Sequence, residues 1–369
     1  MVTFGIEEEF LLTGPNGTAP STRAAEVISA LTPGDGRSFT SPAEFLACQV
    51  ESTTPICTEP EEALVSLLDF RGRLAAASAE AGLAAAPTGA APLAAPGPAL
   101  VSGTLRYQQM SQMAGGVGDE QYVNGTHVHV AVPSREEGVQ VLNRLRPWLA
   151  TLAAVSANSP YWLGRDSRFA SWRIIHYRRW SVQGFPPFFR DAADYEARIA
   201  RLTATDVVLD PGHIGWIARL SNNFPTVEVR VADAQLEARE SVLLALMIRG
   251  LVTTLLAETA ADPEGSPGDL ADPELLDAGL WQAARFGLAG NLLDHGPGGG
   301  PGRTAADQVG ALLEYVRPAL EESGDYPYVR TGIAHVLSAG TGAHRQREAV
   351  RRAGFAGLGP LFARSLTAQ

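Results

Sequence analysis

The chain has no lysine, and this absence excludes several kinds of catalytic site. Among its 369 residues the Lys and Arg count is 29, and every one of these is an arginine. Without lysine there can be no Walker A phosphate loop, no Schiff base to pyridoxal phosphate and no lysine general base. Any side-chain cation that binds a phosphate or a substrate carboxylate must therefore be an arginine.

The chain also has only two cysteines, a negative net charge and no long apolar run. The two cysteines, Cys48 and Cys57, do not make a disulfide framework. The net charge of −11 argues against nucleic-acid binding, because a phosphate backbone selects a basic surface. No apolar run reaches the roughly 18–20 residues of a membrane span, and no charged-then-apolar leader precedes the first predicted strand. We expect a reduced cytoplasmic protein that binds neither nucleic acid nor membrane.

Predicted strands dominate the first two thirds of the chain and predicted helices the last third. Strands are expected over residues 2–12, 43–55, 126–132 and 213–231, and helices over 237–260, 273–290, 304–322 and 326–338. This order favours an α+β fold over a doubly wound parallel sheet. We expect one domain over residues 1–369, mainly helical from about 261.

Capping signals and proline mark two further helices. Thr58 followed by Glu61 is a capping-box pattern that opens an amphipathic helix. A second such pattern begins at Ser134 and predicts a helix through about Ser156. Pro147 lies inside that helix and should kink or interrupt it, because proline lacks the backbone N–H that a helix needs.

Three predicted strands carry charged or metal-binding groups on every second residue. These pairs are Glu7 and Glu9, His127 and His129, and Glu228 and Arg230. Side chains on a strand alternate between faces, so the members of each pair share a face, and valines occupy the opposite face of the last two strands. Burying such groups is costly without a metal or a charged partner. These strands therefore predict the floor of an active site.

Glu51 adds a carboxylate from another predicted strand, where it shares a face with Gln49 and Thr53. Carboxylates that converge on one face repel one another unless cations neutralise them. Oxygen-rich sites with one imidazole suit Mg²⁺ or Mn²⁺. A zinc-dependent amide or ester hydrolase that uses the His127–His129 strand is an alternative, although zinc sites usually add further His or Cys ligands.

Arginines are the candidate contacts for phosphate and carboxylate groups, since they form bidentate pairs with both. Arg230 is the strongest candidate, because it shares a strand face with Glu228. The weaker candidates for binding nucleotide or substrate are Arg173, Arg219, Arg285 and Arg345. Residues 158–190 are crowded with arginine and aromatic side chains, which is typical of a functional irregular segment.

Seven short segments together resemble motifs of the glutamate–cysteine ligase type 2 family. They are GIEEEF, QVEST, GTHVHV, SANSPYWLGRDS, FASWR, PTVEVRVAD and WQAARFG. They occur in the order of the family and span nearly the whole chain. The resemblance implies a fold like that of glutamine synthetase catalytic domains, in which an antiparallel sheet curves into a funnel and helices pack outside it.

The resemblance also implies the site and its chemistry. The implied metal ligands are Glu7, Glu9, Glu51, His127 and Glu228, which would hold Mg²⁺ or Mn²⁺. Arg230 would contact the transferred phosphoryl group and act with Glu228 in catalysis, whereas His129 joins the weaker substrate or nucleotide contacts.

The implied activity is ATP-dependent ligation of a small-molecule carboxylate to an amine through an acyl phosphate. The enzyme would be similar to glutamate–cysteine ligase, and a homo-oligomer is compatible with it. A non-catalytic metabolite-binding descendant of the fold is a further alternative. The retained set of carboxylates argues against that alternative, because a degraded site usually loses a carboxylate first.

Overall fold

Most of the predicted strands meet in one six-stranded antiparallel sheet in the computed structural model, which describes residues 1–31, 44–95, 97–261, 272–294 and 300–368. The strands are β1 (Phe4–Thr13), β2 (Gln49–Thr53), β3 (Ala84–Ala86), β4 (Gly125–Ala131), β5 (Tyr161–Trp162), β6 (Arg165–Asp166), β7 (Gln183–Gly184), β8 (Gly215–Trp216), β9 (Ala218–Leu220), β10 (Thr226–Asp233), β11 (Asn291–Asp294) and β12 (Gly300–Thr304). The central sheet has the order β2–β1–β4–β10–β9, and β3 also pairs with β1.

Helices surround this sheet and fill the last third of the chain, as predicted. They are α1 (Ala24–Leu31), α2 (Pro60–Glu80), α3 (Leu105–Ala114), α4 (Arg135–Leu145), α5 (Leu149–Val155), α6 (Trp172–Tyr177), α7 (Ala192–Thr203), α8 (Ala238–Ala261), α9 (Pro273–Phe286), α10 (Ala305–Ser323), α11 (Tyr326–Ala339), α12 (Gly342–Ala353) and α13 (Leu358–Leu366). The mixture of helices with an antiparallel sheet confirms the predicted fold class.

Helix boundaries follow the local signals, with one correction. Pro147 interrupts the helix after Ser134 as predicted, because a 3₁₀ turn separates α4 from α5. At α2 the box lies one residue later than expected. The Glu62 carboxylate, not that of Glu61, accepts backbone N–H groups at 2.8 Å from Thr58 and 3.1 Å from Glu59.

The valine faces of β4 and β10 build the main hydrophobic core. Val128, Val227 and Val231 are fully buried there, against α4, α5 and the long apolar helix α8. Within the described ranges α8 is the one helix whose length and composition would suit a membrane span. Most of its apolar stretch is buried inside the protein, as in the core helix of a soluble fold, so it is weak evidence for a membrane.

Glu8 lies between Glu7 and Glu9 in sequence but faces the core side of β1, where it is 1% exposed. Arg71 of α2 donates to both of its carboxylate oxygens, at 2.8 Å from Nε and 2.6 Å from Nη2. Ser241 of α8 donates to the same carboxylate. This ion pair joins β1 to two helices and leaves the other face of β1 free for Glu7 and Glu9.

Replacing Glu8 with alanine should lower the free energy of unfolding by about 3–5 kcal/mol, because Arg71 would be left buried without its anion. Urea unfolding measures this loss. Glu26→Ala is the control, since Glu26 makes a similar two-point contact with Arg23 at the exposed surface and should change stability far less. Equal losses in the two variants would contradict the role given to Glu8.

Candidate active site

The strand register brings the predicted site residues to one face of the sheet. Its cross-strand partners are Glu7 with His127, Glu9 with Glu51, and Glu228 with His129. All six line a cavity of about 410 Å³, together with Arg173, Arg219 and Arg230. The alternation of these strands therefore predicts correctly which side chains meet.

The first acidic group contains Glu7, His129 and Glu228. One ligand atom from each lies within 4.8 Å of the others. Nδ1 of His129 lies 3.0 Å from the Thr226 hydroxyl, and its buried Nε2 lies 3.2 Å from Glu7 Oε1. An imidazole with one nitrogen held by a hydroxyl and the other facing carboxylates fits a metal ligand.

His127 occupies a different position from His129, although the sequence-based hypothesis placed it among the metal ligands. Its Nδ1 lies 3.0 Å from Glu7 Oε2 and 3.3 Å from Arg230 Nη1. Burial and the charge of Arg230 lower the pKa of His127, which favours the neutral imidazole. The geometry therefore places His129, and not His127, at the first group, with His127 beside Glu7.

The second acidic group contains Glu9, Glu44 and Glu51, whose carboxylate oxygens also lie within 4.8 Å of one another. The sequence did not reveal Glu44, because a regular strand over 43–55 would put it on the face opposite Glu51. The strand begins only at Gln49, and a turn precedes it in which the Gln49 N–H donates to the Leu46 carbonyl at 3.0 Å. That turn brings Glu44 to the side of Glu51.

These carboxylates differ in their affinity for protons. Burial and then the charge of Glu9 raise the pKa of Glu44 to about 7. Burial and then Glu44 raise the pKa of Glu51. Burial would also raise the pKa of Glu7, but His127 and His129 outweigh it and hold that pKa far below the usual range.

Binding of Mn²⁺ to the second group should strengthen as the pH rises from about 6 to about 8, because a cation must displace protons from Glu44 and Glu51. The stability of the metal-free protein should change in the opposite direction over this pH range. Its folded state keeps a proton on Glu44 that the unfolded chain releases near the ordinary glutamate pKa of 4.5. Stability without metal therefore falls as the pH rises toward about 7.

The rise in melting temperature with Mn²⁺, measured at both pH values, checks this prediction. Glu44→Gln should weaken the pH dependence, since the variant lacks the Glu44 proton and keeps only that of Glu51. An equal rise in wild-type melting temperature at both pH values would contradict the prediction.

Glu228 is the most enclosed carboxylate of the floor, at 3% exposed, and two arginines bind it. Arg219 Nε donates to it at 2.7 Å, and Arg230 Nη1 donates to its other oxygen. Burial would raise the pKa of Glu228, but Arg230 and Arg219 outweigh it and hold that pKa well below the usual range. A negative carboxylate therefore faces the cavity beside two fixed cations.

Arg173, a predicted substrate contact, forms hydrogen bonds with the backbone of β10. The register of β10 against β4 shifts between Val229 and Ala232. At this bulge the Arg173 guanidinium donates to the carbonyls of Arg230 at 3.1 Å and Val231 at 3.3 Å. Arg173 is 5% exposed, so it supports the strand segment that carries Arg230.

Arg285 and Arg345 do not lie at the cavity, in contrast to their predicted roles. The Arg285 guanidinium donates to the backbone carbonyl of Arg168 at the exposed surface. Arg345 donates to Glu240 at 2.7 Å and also to Glu237. The sequence around Arg285 and Arg345 could not indicate these partners, because they lie more than 100 positions away along the chain.

An aromatic wall stands among the lining residues of the cavity, and strand alternation did not reveal it. Phe45 makes edge-to-face contacts with Tyr107 of α3, at 5.8 Å between ring centres, and with Trp180, at 5.7 Å. The Trp180 indole N–H donates to Gln121 at 2.7 Å. The crowding of aromatic residues over 158–190 was the one sequence signal that pointed to part of this wall.

The fold has counterparts among solved ligases. A bifunctional glutathione synthetase from Pasteurella multocida matches with a TM-score of 0.70 at 16% identity, over 100% of this chain and 52% of that chain. A glutamate–cysteine ligase from Francisella tularensis, solved in complex with AMP, matches with a TM-score of 0.72 at 13% identity, over 100% and 89% of the two chains. At these identities the likeness shows that this chain shares the fold of the two proteins.

Sequence comparison identifies the family. The family model of glutamate-cysteine ligase family 2 (GCS2) matches residues 3–355. A relative from Mycolicibacterium vanbaalenii, provisionally named glutamate–cysteine ligase 2-2, is 39% identical over 353 residues, which cover 95% of this chain and 93% of the relative. One from Nocardia farcinica, provisionally named glutamate–cysteine ligase 2-1, is 41% identical over 347 residues, 93% and 88% of the two chains.

The chain therefore belongs to glutamate–cysteine ligase family 2, as its motifs predicted. It is an ATP-dependent carboxylate–amine ligase. These comparisons give no support to the hydrolase alternative.

Proposed function

We propose that this chain joins a small-molecule carboxylate to an amine through an acyl phosphate, with ATP as the phosphoryl donor and Mg²⁺ or Mn²⁺ bound at the cavity floor. The observation that carries the proposal is the pairing of two acidic groups with an arginine. Glu228 belongs to the first group, and the Arg230 guanidinium lies directly on its carboxylate. A carboxylate nucleophile and a polyanionic triphosphate can approach each other only where cations offset their repulsion.

The donor chemistry of the two groups supports Mg²⁺ or Mn²⁺ in preference to zinc. The group of Glu9, Glu44 and Glu51 offers oxygen alone, and the group of Glu7, His129 and Glu228 offers oxygen with a single imidazole. The ions, when bound there, would neutralise the triphosphate and the substrate carboxylate. His127 would then serve to orient Glu7 through its 3.0 Å contact.

In the first step a substrate carboxylate oxygen attacks the γ-phosphorus of ATP, and the bond from that phosphorus to the β,γ-bridging oxygen breaks to release ADP. Arg230 would stabilise the phosphoryl group as it moves, since a guanidinium matches its equatorial oxygens. Arg219 would keep Glu228 in place when Arg230 turns toward phosphate, because Arg219 also donates to the carbonyls of Gly212 and Ile214.

In the second step the amine nitrogen attacks the acyl carbon, the carbon–oxygen bond to phosphate breaks, and phosphate leaves. Over both steps an ammonium and a carboxylate become an amide, with ADP, phosphate and one net proton released. The aromatic wall of Phe45, Tyr107 and Trp180 would hold the amine substrate by its apolar part, away from water. The names of the relatives make L-glutamate and L-cysteine the first pair to test.

The experiment is to incubate the purified protein with ATP, Mg²⁺ or Mn²⁺ and a panel of carboxylates and amines, and to follow ADP release and product mass. Amine-dependent ADP formation with a matching amide mass is the expected result. Hydrolysis of an amide or ester without ATP would refute the proposal. Binding of metabolites without any turnover would favour the non-catalytic alternative instead.

A further inference from the structure

Gln183 of β7 carries a buried acceptor, its side-chain Oε1, that has no hydrogen-bond partner among the described residues. Gln183 is also one of the residues that line the cavity. An acceptor left unpaired in this way is destabilising, and native proteins satisfy nearly all of them. Such an atom beside a substrate cavity is typical of a group that finds its partner in the ligand.

The backbone around Gln183 is shaped to seat this amide. β7 pairs in parallel with β8, which sets Gln183 opposite Gly215. A Cβ atom added at Gly215 would lie 1.7 Å from Nε2 of Gln183 and 2.7 Å from Oε1. Any other residue at position 215 would therefore displace the amide, so the glycine holds open the place that Gln183 fills.

Gln183 and Arg230 also share the lining of a second cavity. A smaller cavity of about 20 Å³ shares the lining residues Arg173, Tyr177, Gln183 and Arg230 with the main one. This volume has room for about one water-sized group. Nε of Arg230 is likewise buried without a hydrogen-bond partner in the described part of the chain. Gln183 therefore lines both cavities together with the arginine assigned to the phosphoryl group.

We propose that Gln183 is a specificity-determining residue whose side-chain oxygen accepts a hydrogen bond from an N–H group of the amine substrate. The inference rests on the proposed ligase function and deepens it. The triphosphate and the reacting carboxyl group offer no N–H donor. The α-ammonium of an amino-acid carboxylate substrate and the adenine amino group do offer one, but it is the amine that must bring its nitrogen to the acyl carbon beside the phosphoryl group. Among the described residues, Gln183 offers an unpaired acceptor in the lining that it shares with Arg230.

The test is steady-state kinetics of Gln183→Leu with ATP, Mg²⁺, L-glutamate and L-cysteine, or with the first carboxylate and amine that the wild type ligates. Leucine keeps the bulk of the side chain and removes the oxygen. The KM for the amine should rise about tenfold or more, as expected for losing a hydrogen bond from a charged donor. The KM values for ATP and the carboxylate should stay within about twofold, and the melting temperature of the free protein should not fall, because an unpaired buried acceptor has been removed.

Gln308→Leu is the matched control. Gln308 of α10 is 3% exposed and also has a buried Oε1 without a partner among the described residues, but it lines neither cavity. Its replacement should leave every KM unchanged. An unchanged amine KM in Gln183→Leu, or a rise confined to the carboxylate, would overturn the role of Gln183 while the ligase function stands. A wild type without amine-dependent ADP release would instead overturn the proposed function on which the inference rests.

Discussion

Replacing Glu228 with glutamine should lower amine-dependent ADP formation by at least about 100-fold. Removing a residue that only supports a metal ligand costs up to about 100-fold, and Glu228 is proposed to bind the metal directly. Glutamine keeps the shape and one carbonyl oxygen but loses the negative charge. The first acidic group would then retain only Glu7 and His129, and the cation of Arg230 would lose the anion that positions it. ADP release and product mass measure the loss, and urea unfolding shows whether the variant still folds.

Glu237→Gln is the matched control for this variant. Glu237 is also a buried carboxylate bound by two arginines, Arg239 and Arg345, but it lies outside the cavity. Its replacement should reduce stability and leave turnover per folded molecule unchanged. Wild-type ADP release from Glu228→Gln would refute the proposed role of Glu228 as a metal ligand.

Replacing Arg230 with methionine should lower kcat by about 10³-fold or more, because an arginine that stabilises a moving phosphoryl group contributes 10³–10⁵ in comparable reactions. The variant should still bind Mn²⁺, since Arg230 supplies no metal ligand. Binding is followed by the Mn²⁺-dependent rise in melting temperature. A loss of kcat together with retained metal binding would show that Arg230 acts on the phosphoryl group and not by holding the metal ligands in place.

Arg239→Met is the control for the arginine. Arg239 follows Glu237 by two positions, as Arg230 follows Glu228, and it pairs with that carboxylate at 2.5 Å. It lies on α8 outside the cavity, so kcat should stay within about twofold of the wild type. If Arg230→Met lost activity only through lost metal binding, the phosphoryl role of Arg230 would be wrong.

The floor of the site was predictable because it depends on a local rule. Alternation along a strand fixes which side chains share a face, and an antiparallel sheet then brings those faces together. This rule predicts that Glu7, Glu9, Glu51, His127, His129 and Glu228 share one face of the sheet, and all six line the cavity. The same rule should have marked Glu8 as a core residue, but its partner Arg71 is 63 positions away, so the ion pair could not be read locally.

The rest of the site depends on irregular backbone and on distant packing. Glu44 reaches its group through a turn that interrupts the predicted strand. Gln183 and the aromatic wall come from short segments whose positions are set by the whole fold.

The helices α12 and α13 were not predicted either. α12 buries only Gly342, Ala343 and Gln346, so few large apolar side chains mark its buried face in the sequence.

The acyl phosphate is the central claim, and the fate of one oxygen tests it most directly. The carboxylate substrate, L-glutamate or whichever donor supports turnover, is labelled with ¹⁸O in its reacting carboxyl group and incubated with ATP, Mg²⁺ and the amine. Mass spectrometry of the released phosphate then counts the label. Amide formation with one ¹⁸O atom in each phosphate is the predicted result, because the carboxylate oxygen that attacks ATP leaves with the phosphorus. Amide formation with unlabelled phosphate would contradict the mechanism.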